Sequence, residues 1–259
     1  MKIIACVKRV PTTEAQVKIG ADGASIDGAG LESMLSFYDD LAVEEAVRTR
    51  EKHGGEVTVL TLGPSDCSKE LREALAKGAD KATILLDANW SARDARSTAK
   101  ALAAKIQELG ADLVFCGRVA TDRDQASVGT LLSAYLGFAC VTDVVKLELT
   151  PTGGTAQRET EAGIETVSFP VPAVITCDKG LNEPRFAGLK GIMAAKKKPI
   201  DVKTVADLGL AGQVGAGAAK VRIEKLYTPP KGQGAEIVSG SADEVAGKLV
   251  GKIKELGLL

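Results

Sequence analysis

The side chains able to do chemistry in this chain are few and poorly spaced for catalysis. His53 is the only histidine. It falls at the end of a helix-period segment, beside Gly54-Gly55, where a cation suits a helix C-terminus. One histidine cannot supply a Ser-His or Cys-His pair together with any other role, and it rules out a zinc set built on several imidazoles. Five cysteines are scattered without a CxxC, at Cys6, Cys67, Cys116, Cys140 and Cys177. Most sit in or beside apolar runs, the pattern of reduced core thiols in a cytoplasmic protein. The paired carboxylates Glu44-Glu45 lie in an amphipathic segment and read as its solvated face. Hydrolase and metalloenzyme chemistry are therefore not expected.

Phosphate binding is the chemistry that the spacing supports. Gly212-x-x-Gly215-x-Gly217-x-x-Lys220 fails as a phosphate loop, because Lys220 follows no glycine, no Ser or Thr comes after it, and no strong strand precedes it. No GxGxxG follows the first strand, so a standard dinucleotide fold is not indicated. Residues 117–129, GRVATDRDQASVG, are a better candidate. They follow an apolar strand at 113–116 and run into a helix at 127–136, so backbone N–H groups at the helix start would face past the carboxyl edge of a sheet. That arrangement suits an anion, although an ordinary capped strand-to-helix connection has the same spacing.

The elements that would position this loop alternate along the first half of the chain. Apolar strands at 3–7, 57–62, 82–86 and 113–116 are separated by helical segments at 40–53, 68–77 and 92–109, which is a βα alternation with a parallel sheet. Ser91 is placed to cap the third helix, Gly110 to end it, and Ala99, Leu102, Ala103 and Ile106 form its buried stripe. Segments 141–149, 155–161 and 164–169 read as antiparallel strands around a turn at 151–154, an edge hairpin. Residues 210–220 are rich in Gly and Ala and read as a linker, followed by a possible strand at 221–226. Ser241-x-x-Glu244 is a capping box opening a helix with Val245, Leu249 and Ile253 on one face.

Composition narrows the partners. At 259 residues the chain can hold one main domain with an appendage. Its 33 Lys+Arg against 34 Asp+Glu leave a net charge of -1, and aromatics are 3%, so neither a basic field nor a stacking surface recruits nucleic acid. No apolar run approaches a membrane span, and Met1-Lys2 leads into a strand rather than a targeting segment, so a cytoplasmic protein without direct membrane insertion is expected.

Residues 172–200, PAVITCDKGLNEPRFAGLKGIMAAKKKPI, carry a second signal. A buried-type strand at 173–177 runs into turn chemistry at Asn182-Glu183-Pro184-Arg185. Leu189, Ile192 and Met193 then form one helical stripe before Lys196-Lys197-Lys198. A surface helix packed on its own sheet and an apolar docking device both fit this pattern. The string resembles the signature of the electron-transfer flavoprotein β subunit, through Pro172-Ala173-Val174, Thr176, Asn182, Pro184-Arg185, Leu189, Ile192-Met193 and the lysine run. Upstream, Val7-Lys8-Arg9-Val10, Ala42-Val43-Glu44-Glu45-Ala46, Gly63-Pro64 and Ala76-x-Gly78-Ala79-Asp80 are similar to the same family in the same order.

The resemblance implies a mainly parallel open α/β sheet flanked by helices, of the adenine-nucleotide α-hydrolase-like kind, with an antiparallel hairpin and an extended C-terminal arm. Residues 1–200 would form the nucleotide-binding domain, with a partner-recognition loop at about 182–198, and 201–259 an arm wrapping an α subunit. It implies an electron carrier rather than an enzyme, a heterodimer in which FAD sits mainly in the α subunit. Electrons would pass from a flavoenzyme dehydrogenase to a quinone-reducing acceptor. AMP would be held by Cys6, Ser36, Asp39, Leu41, Leu62, Gly117, Arg123, Asp124, Gln125, Ala126, Ser127 and Val128. Leu189 would anchor the dehydrogenase, with Arg185, Ile192 and Met193 shaping the loop, and Glu159 would contact the flavin domain. The chain departs from the family pattern at Ser36-Phe37, Val119 and Ala126-Ser127, which removes side-chain hydrogen-bonding groups from the AMP site. A bifurcating subgroup places a second FAD there and works with NADH, and its loop shares half its positions with residues 122–129. A self-contained ATP-binding domain of the universal-stress kind shares the alternation but would need a glycine-rich phosphate loop.

Overall fold

A computed structural model describes every residue except 88 and 233, and divides the chain into two compact units, Met1–Lys225 and Leu226–Leu259. In chain order the first unit contains β1 (Lys2–Cys6), β2 (Arg9–Pro11), β3 (Lys18–Ile19), β4 (Ile26–Asp27), β5 (Ser33–Leu35), α1 (Phe37–His53), β6 (Glu56–Gly63), α2 (Ser68–Lys77) and β7 (Lys81–Leu86). Then follow α3 (Ala95–Leu109), β8 (Leu113–Gly117), α4 (Val128–Leu136), β9 (Ala139–Thr150), β10 (Gly153–Thr160), β11 (Gly163–Pro170), β12 (Ala173–Cys177), α5 (Leu189–Ala195) and β13 (Ile200–Thr204).

Nine strands pair in the order β11-β10-β9-β12-β8-β1-β6-β7-β13. The ladder from β9 through β12, β8, β1, β6 and β7 to β13 is parallel, as expected for β1, β6, β7 and β8, and β9-β10-β11 is antiparallel, as expected for 141–169; the parallel pairings of β9 with β12 and of β13 with β7 were not foreseen. Helices cover both faces, which is why the central strands are almost uninterruptedly apolar. Ile3 and Ala5 of β1 join Leu41, Ala46, Leu71 and Leu75 in one core cluster, whereas Ile4 and Cys6 join Leu102, Ile106 and Leu132 in the other. The period-2 alternation of a strand thus assigns α1 and α2 to one face and α3 and α4 to the other. From β1 the chain builds outward through β6 and β7, then returns to the other side of β1 as β8. That reversal opens a crevice outside the carboxyl ends of β1 and β8.

Several local expectations change. Asp94, not Ser91, caps α3: its backbone is extended and its side chain accepts from the Ser97 N–H at 2.7 Å, while residues 90–92 form a separate 3₁₀ turn. Residues 210–220 are not a free linker, because Leu210 and Val214 bury themselves in the cluster that contains α3. Residues 221–226 form no strand, and β13 adds parallel to β7 instead, so the first unit continues past residue 200. The predicted stripe Ala99, Leu102, Ala103, Ile106 is buried, and Gly110 ends α3 at φ 67°. In the second unit α6 (Ala242–Glu255) opens with the predicted capping box between Ser241 and Glu244, and Leu249, Val250 and Ile253 are exposed. Among the described residues no helix is long and apolar enough to cross a membrane.

Candidate functional site

The crevice is a cavity of about 130 Å³, roughly ten times what a single water needs. Cys6, Asp39, Leu62, Gly117, Arg123, Gln125, Ala126, Ser127 and Val128 line it, together with Lys8, Trp90, Arg93 and Asp94, none of which was expected at the site. Three expected residues lie elsewhere. Leu41 is buried in the core cluster around α1, Ser36 is the fully buried residue before α1, its Oγ without a partner among the described residues, and Asp124 is exposed. Cysteine thiols form part of the floor. The Cys116 thiol is pushed well up by its hydrogen-bonded neighbour Cys6 and by burial, so it contributes no charge.

Asp39 holds three elements together at the bottom of the site. From the first turn of α1 its carboxylate accepts the Lys8 N–H at 2.8 Å and the Gly117 N–H at 3.0 Å, tying the ends of β1 and β8 to one side chain. Gly117 makes this approach possible, since a Cβ there would stand 2.5 Å from Asp39 Oδ1 and 2.7 Å from the α1 backbone. Burial raises the Asp39 carboxyl to about 7, and the two backbone donors offset only part of that.

The loop after β8 is shaped for an anion. Asp124 and Ala126 both stand at φ 48°, and Ser127 returns to φ −118° ahead of α4. An αL residue followed by an αR residue turns successive N–H groups to one side, here at the positive end of a helix. Ser127 Oγ donates to the Gln125 carbonyl at 2.9 Å and holds that turn. A second observation agrees. Arg93 is buried and pairs with Asp87 through Nε, but among the described residues its Nη1 has no partner. A buried guanidinium N–H left open beside a cavity is costly unless an anion or water meets it.

The remaining charges brace the walls. Lys8 Nζ donates to Asp122 at 2.6 Å and stands 5.9 Å over the Trp90 ring, and burial lowers its pKa despite that carboxylate. Arg123 donates to the carbonyls of Ser91 at 2.6 Å and Arg93 at 3.4 Å. Asp94 accepts from the Lys220 N–H at 2.6 Å as well as capping α3, which fastens the end of the 210–220 segment beside the cavity.

The second feature is an apolar ridge on α5. Leu189 is 78% exposed and Phe186 98%, with Ile192 and Met193 beside them. Its mount is rigid and partly unexpected. Glu44, read as solvated, is 3% exposed: Arg185 donates to both its oxygens through Nε at 2.8 Å and Nη2 at 3.1 Å, and also forks onto Glu51. Asn182 Nδ2 donates to Glu45 at 3.0 Å and to the Leu41 carbonyl at 3.1 Å. Thus Asn182 and Arg185 bind their own α1. The sign of this was in the sequence, as Glu44 and Glu51 are seven apart and share one helix face. At the far end Arg72 Nη1 donates to the Ala195 and Lys198 carbonyls, while Lys198 Nζ donates back to Leu75 and Ala79. Among the described residues, Lys198 alone of the lysine run is consumed in this way.

Gly191 sits where α5 crosses α2, and a Cβ would stand 2.3 Å from the Ala76 carbonyl oxygen. Gly191→Val is therefore expected to push α5 off α2 and to cost about 2 kcal/mol, read as a lower denaturation midpoint. An unchanged midpoint would show that the crossing is looser than this contact implies. Glu159 projects from β10, exposed, opposite Ile164 of β11.

Comparison with known proteins adds independent findings. The family described as "Electron transfer flavoprotein domain" matches residues 25–208. The "Electron transfer flavoprotein subunit beta" of Bradyrhizobium diazoefficiens is 37% identical over 253 residues, covering 96% of this chain and 97% of its own. That of Bacillus subtilis is 33% identical over 255 residues, covering 98% of each. The "Caffeyl-CoA reductase-Etf complex subunit CarD" of Acetobacterium woodii is 36% identical over 259 residues, again covering 98% of each.

Proposed function

Because the chain belongs to the electron transfer flavoprotein family, on its β-subunit side, we propose that it pairs with an α subunit and serves as an electron carrier between flavoenzymes. Electrons would come from a flavoenzyme dehydrogenase and leave to a quinone-reducing acceptor. FAD, held mainly by the α subunit, supplies the one- and two-electron chemistry; this chain supplies placement and electrostatics. The observation that carries the reading is the cleft. Twelve residues were expected there from the family resemblance, and nine of them line one cavity.

The residues present fit AMP. Apolar and neutral groups, Cys6, Leu62, Leu102 and Cys116, offer a surface for the base, while the N–H groups at the start of α4 and the open Nη1 of Arg93 suit a phosphate. The missing family side chains at 126–127 are then replaced by backbone donors. Asp39 anchors the floor, and Lys8 with Asp122 braces one wall. The α5 ridge serves dehydrogenase docking, with Leu189 as the anchor and Phe186 beside it. Glu159 would meet the flavin-carrying domain, and residues 226–259 would wrap the α subunit.

Co-expression with the α subunit, an absorbance spectrum and release of bound nucleotides test this directly. One FAD and one AMP per heterodimer is the expected result; a colourless monomer holding ATP overturns it. Two FAD would favour a second reading, a bifurcating carrier with the second flavin in this cleft. For the ridge, Leu189→Ala is expected to slow electron transfer from the cognate dehydrogenase about tenfold with FAD content unchanged. Equal rates would remove the anchor role.

A further inference from the structure

Two walls of the cleft come from different segments, the turn at 90–94 and the loop at 117–128, and one side chain joins them. Arg123 Nη2 donates to the Ser91 carbonyl at 2.6 Å and Nη1 to the Arg93 carbonyl at 3.4 Å. Arg123 is half-buried, whereas Cys6 and Cys116 are buried, so the bridge crosses the rim of the cavity and not its floor. Its root is fixed as well. The backbone N–H groups of Arg123 and Asp124 both donate to the Ala120 carbonyl, at 3.2 Å and 2.9 Å, closing a turn that aims the side chain across the gap.

We propose that Arg123 is a selectivity strap: it admits a nucleoside monophosphate to the cleft and excludes ligands that continue beyond the first phosphate. The inference rests on the reading of the cleft as a nucleotide site. A phosphate seated on the N–H groups at the start of α4 would lie beside the loop from which Arg123 springs. On that reading a second phosphate would extend toward the gap between that loop and the turn at 90–94, which the guanidinium spans. Passage requires both carbonyls to lose a charged donor at once. The bridge needs arginine, because a planar fork with separate donors reaches two carbonyls, and the single ammonium of lysine does not reproduce that geometry. Among the described residues the Arg123 guanidinium meets carbonyls and no carboxylate, so its charge stays available to the one phosphate that is admitted.

The test uses the heterodimer stripped of bound nucleotide and titrated calorimetrically with AMP and with ADP. The wild type is expected to bind AMP at least tenfold more tightly than ADP. In R123G that ratio should fall to within about threefold. R123K separates the strap from its charge: the AMP-to-ADP ratio should fall as it does in R123G, while AMP affinity falls less than in R123G because the positive charge is kept. Thermal melting of each variant reports that the fold persists, and R123K serves if R123G does not fold. Equal binding of AMP and ADP by the wild type overturns the strap while leaving the nucleotide site intact, as does a tenfold preference that survives in both variants. Binding of neither nucleotide by the wild type overturns the reading of the cleft and the strap with it.

Discussion

Replacing Glu44 with alanine is expected to lower the stability of the protein by about 3 kcal/mol and to release the docking ridge from α1. Glu44 is 3% exposed and takes hydrogen bonds from Arg185 and, at 2.7 Å, from Arg48. Removing it leaves the Arg185 guanidinium, only a third exposed, with half its partners. Glu51 is a built-in control. It pairs with the same arginine but is half exposed, so Glu51→Ala should cost no more than about 0.5 kcal/mol. Denaturant titration of both variants settles the point, and equal stabilities would dismiss Glu44 as the clamp. Proteolysis or hydrogen exchange within 182–198 should rise in the Glu44 variant alone.

The clamp also carries a pH signature. Burial pushes the Glu44 carboxyl up, but the hydrogen bonds of Arg185 and Arg48 outweigh it, and the group lies below the ordinary glutamate range. A depressed acid stabilises the folded state above its unfolded pKa of about 4.3, and that contribution is lost as pH falls through the folded value. The Glu44→Ala deficit should therefore shrink below about pH 4. A deficit equally large at pH 3 and pH 7 would mean that packing, not charge, holds the ridge.

What was legible in the sequence divides along a physical line. Elements with a strong period were readable. β12 is five buried residues between Pro172 and Asp178, and α2 and the buried stripe of α3 follow directly from spacing. So was the placement of the 117–128 loop, because the end of an apolar strand followed by a helix start has one location in a parallel sheet. The short pairs β2-β5 and β3-β4 were not readable, as two or three residues carry no period and depend on their partner strand. β13 was missed for the same reason: it is half exposed at a sheet edge, next to a lysine run that dominates its local composition. Side-chain partners were the least legible layer. Glu44 reads as solvent-facing until α1 is known to lie under residues 182–185. Arg93 and Asp94 read as interior helix until Asp94 is seen to cap α3, which brings Arg93 to the cavity wall.

The remaining large effect concerns Asp39, where two requirements conflict. The Lys8 and Gly117 N–H groups need an acceptor, but burial opposes charge on the carboxylate that provides it. Burial prevails, and the carboxyl is raised to about 7. Against an unfolded value of about 3.9, the folded protein keeps a proton that the unfolded chain has lost. Stability from this group is thus complete below about pH 4 and declines as pH rises through 7, a span on the order of 4 kcal/mol. Asp39→Asn removes the titration but substitutes an NH₂ for one acceptor oxygen, leaving one backbone N–H unpaired at a cost of about 2 kcal/mol. Wild type should therefore be the more stable protein at pH 5, and the difference should narrow or reverse by pH 9. Denaturant midpoints from pH 5 to pH 9 give the answer, and parallel profiles for the two proteins would refute the raised carboxyl. Because Asp39 also lines the cleft, its ionisation places a negative charge near any bound phosphate. AMP affinity should then weaken between pH 6 and pH 8 in the wild type and change less in Asp39→Asn, which calorimetry at those two values can separate from the stability effect.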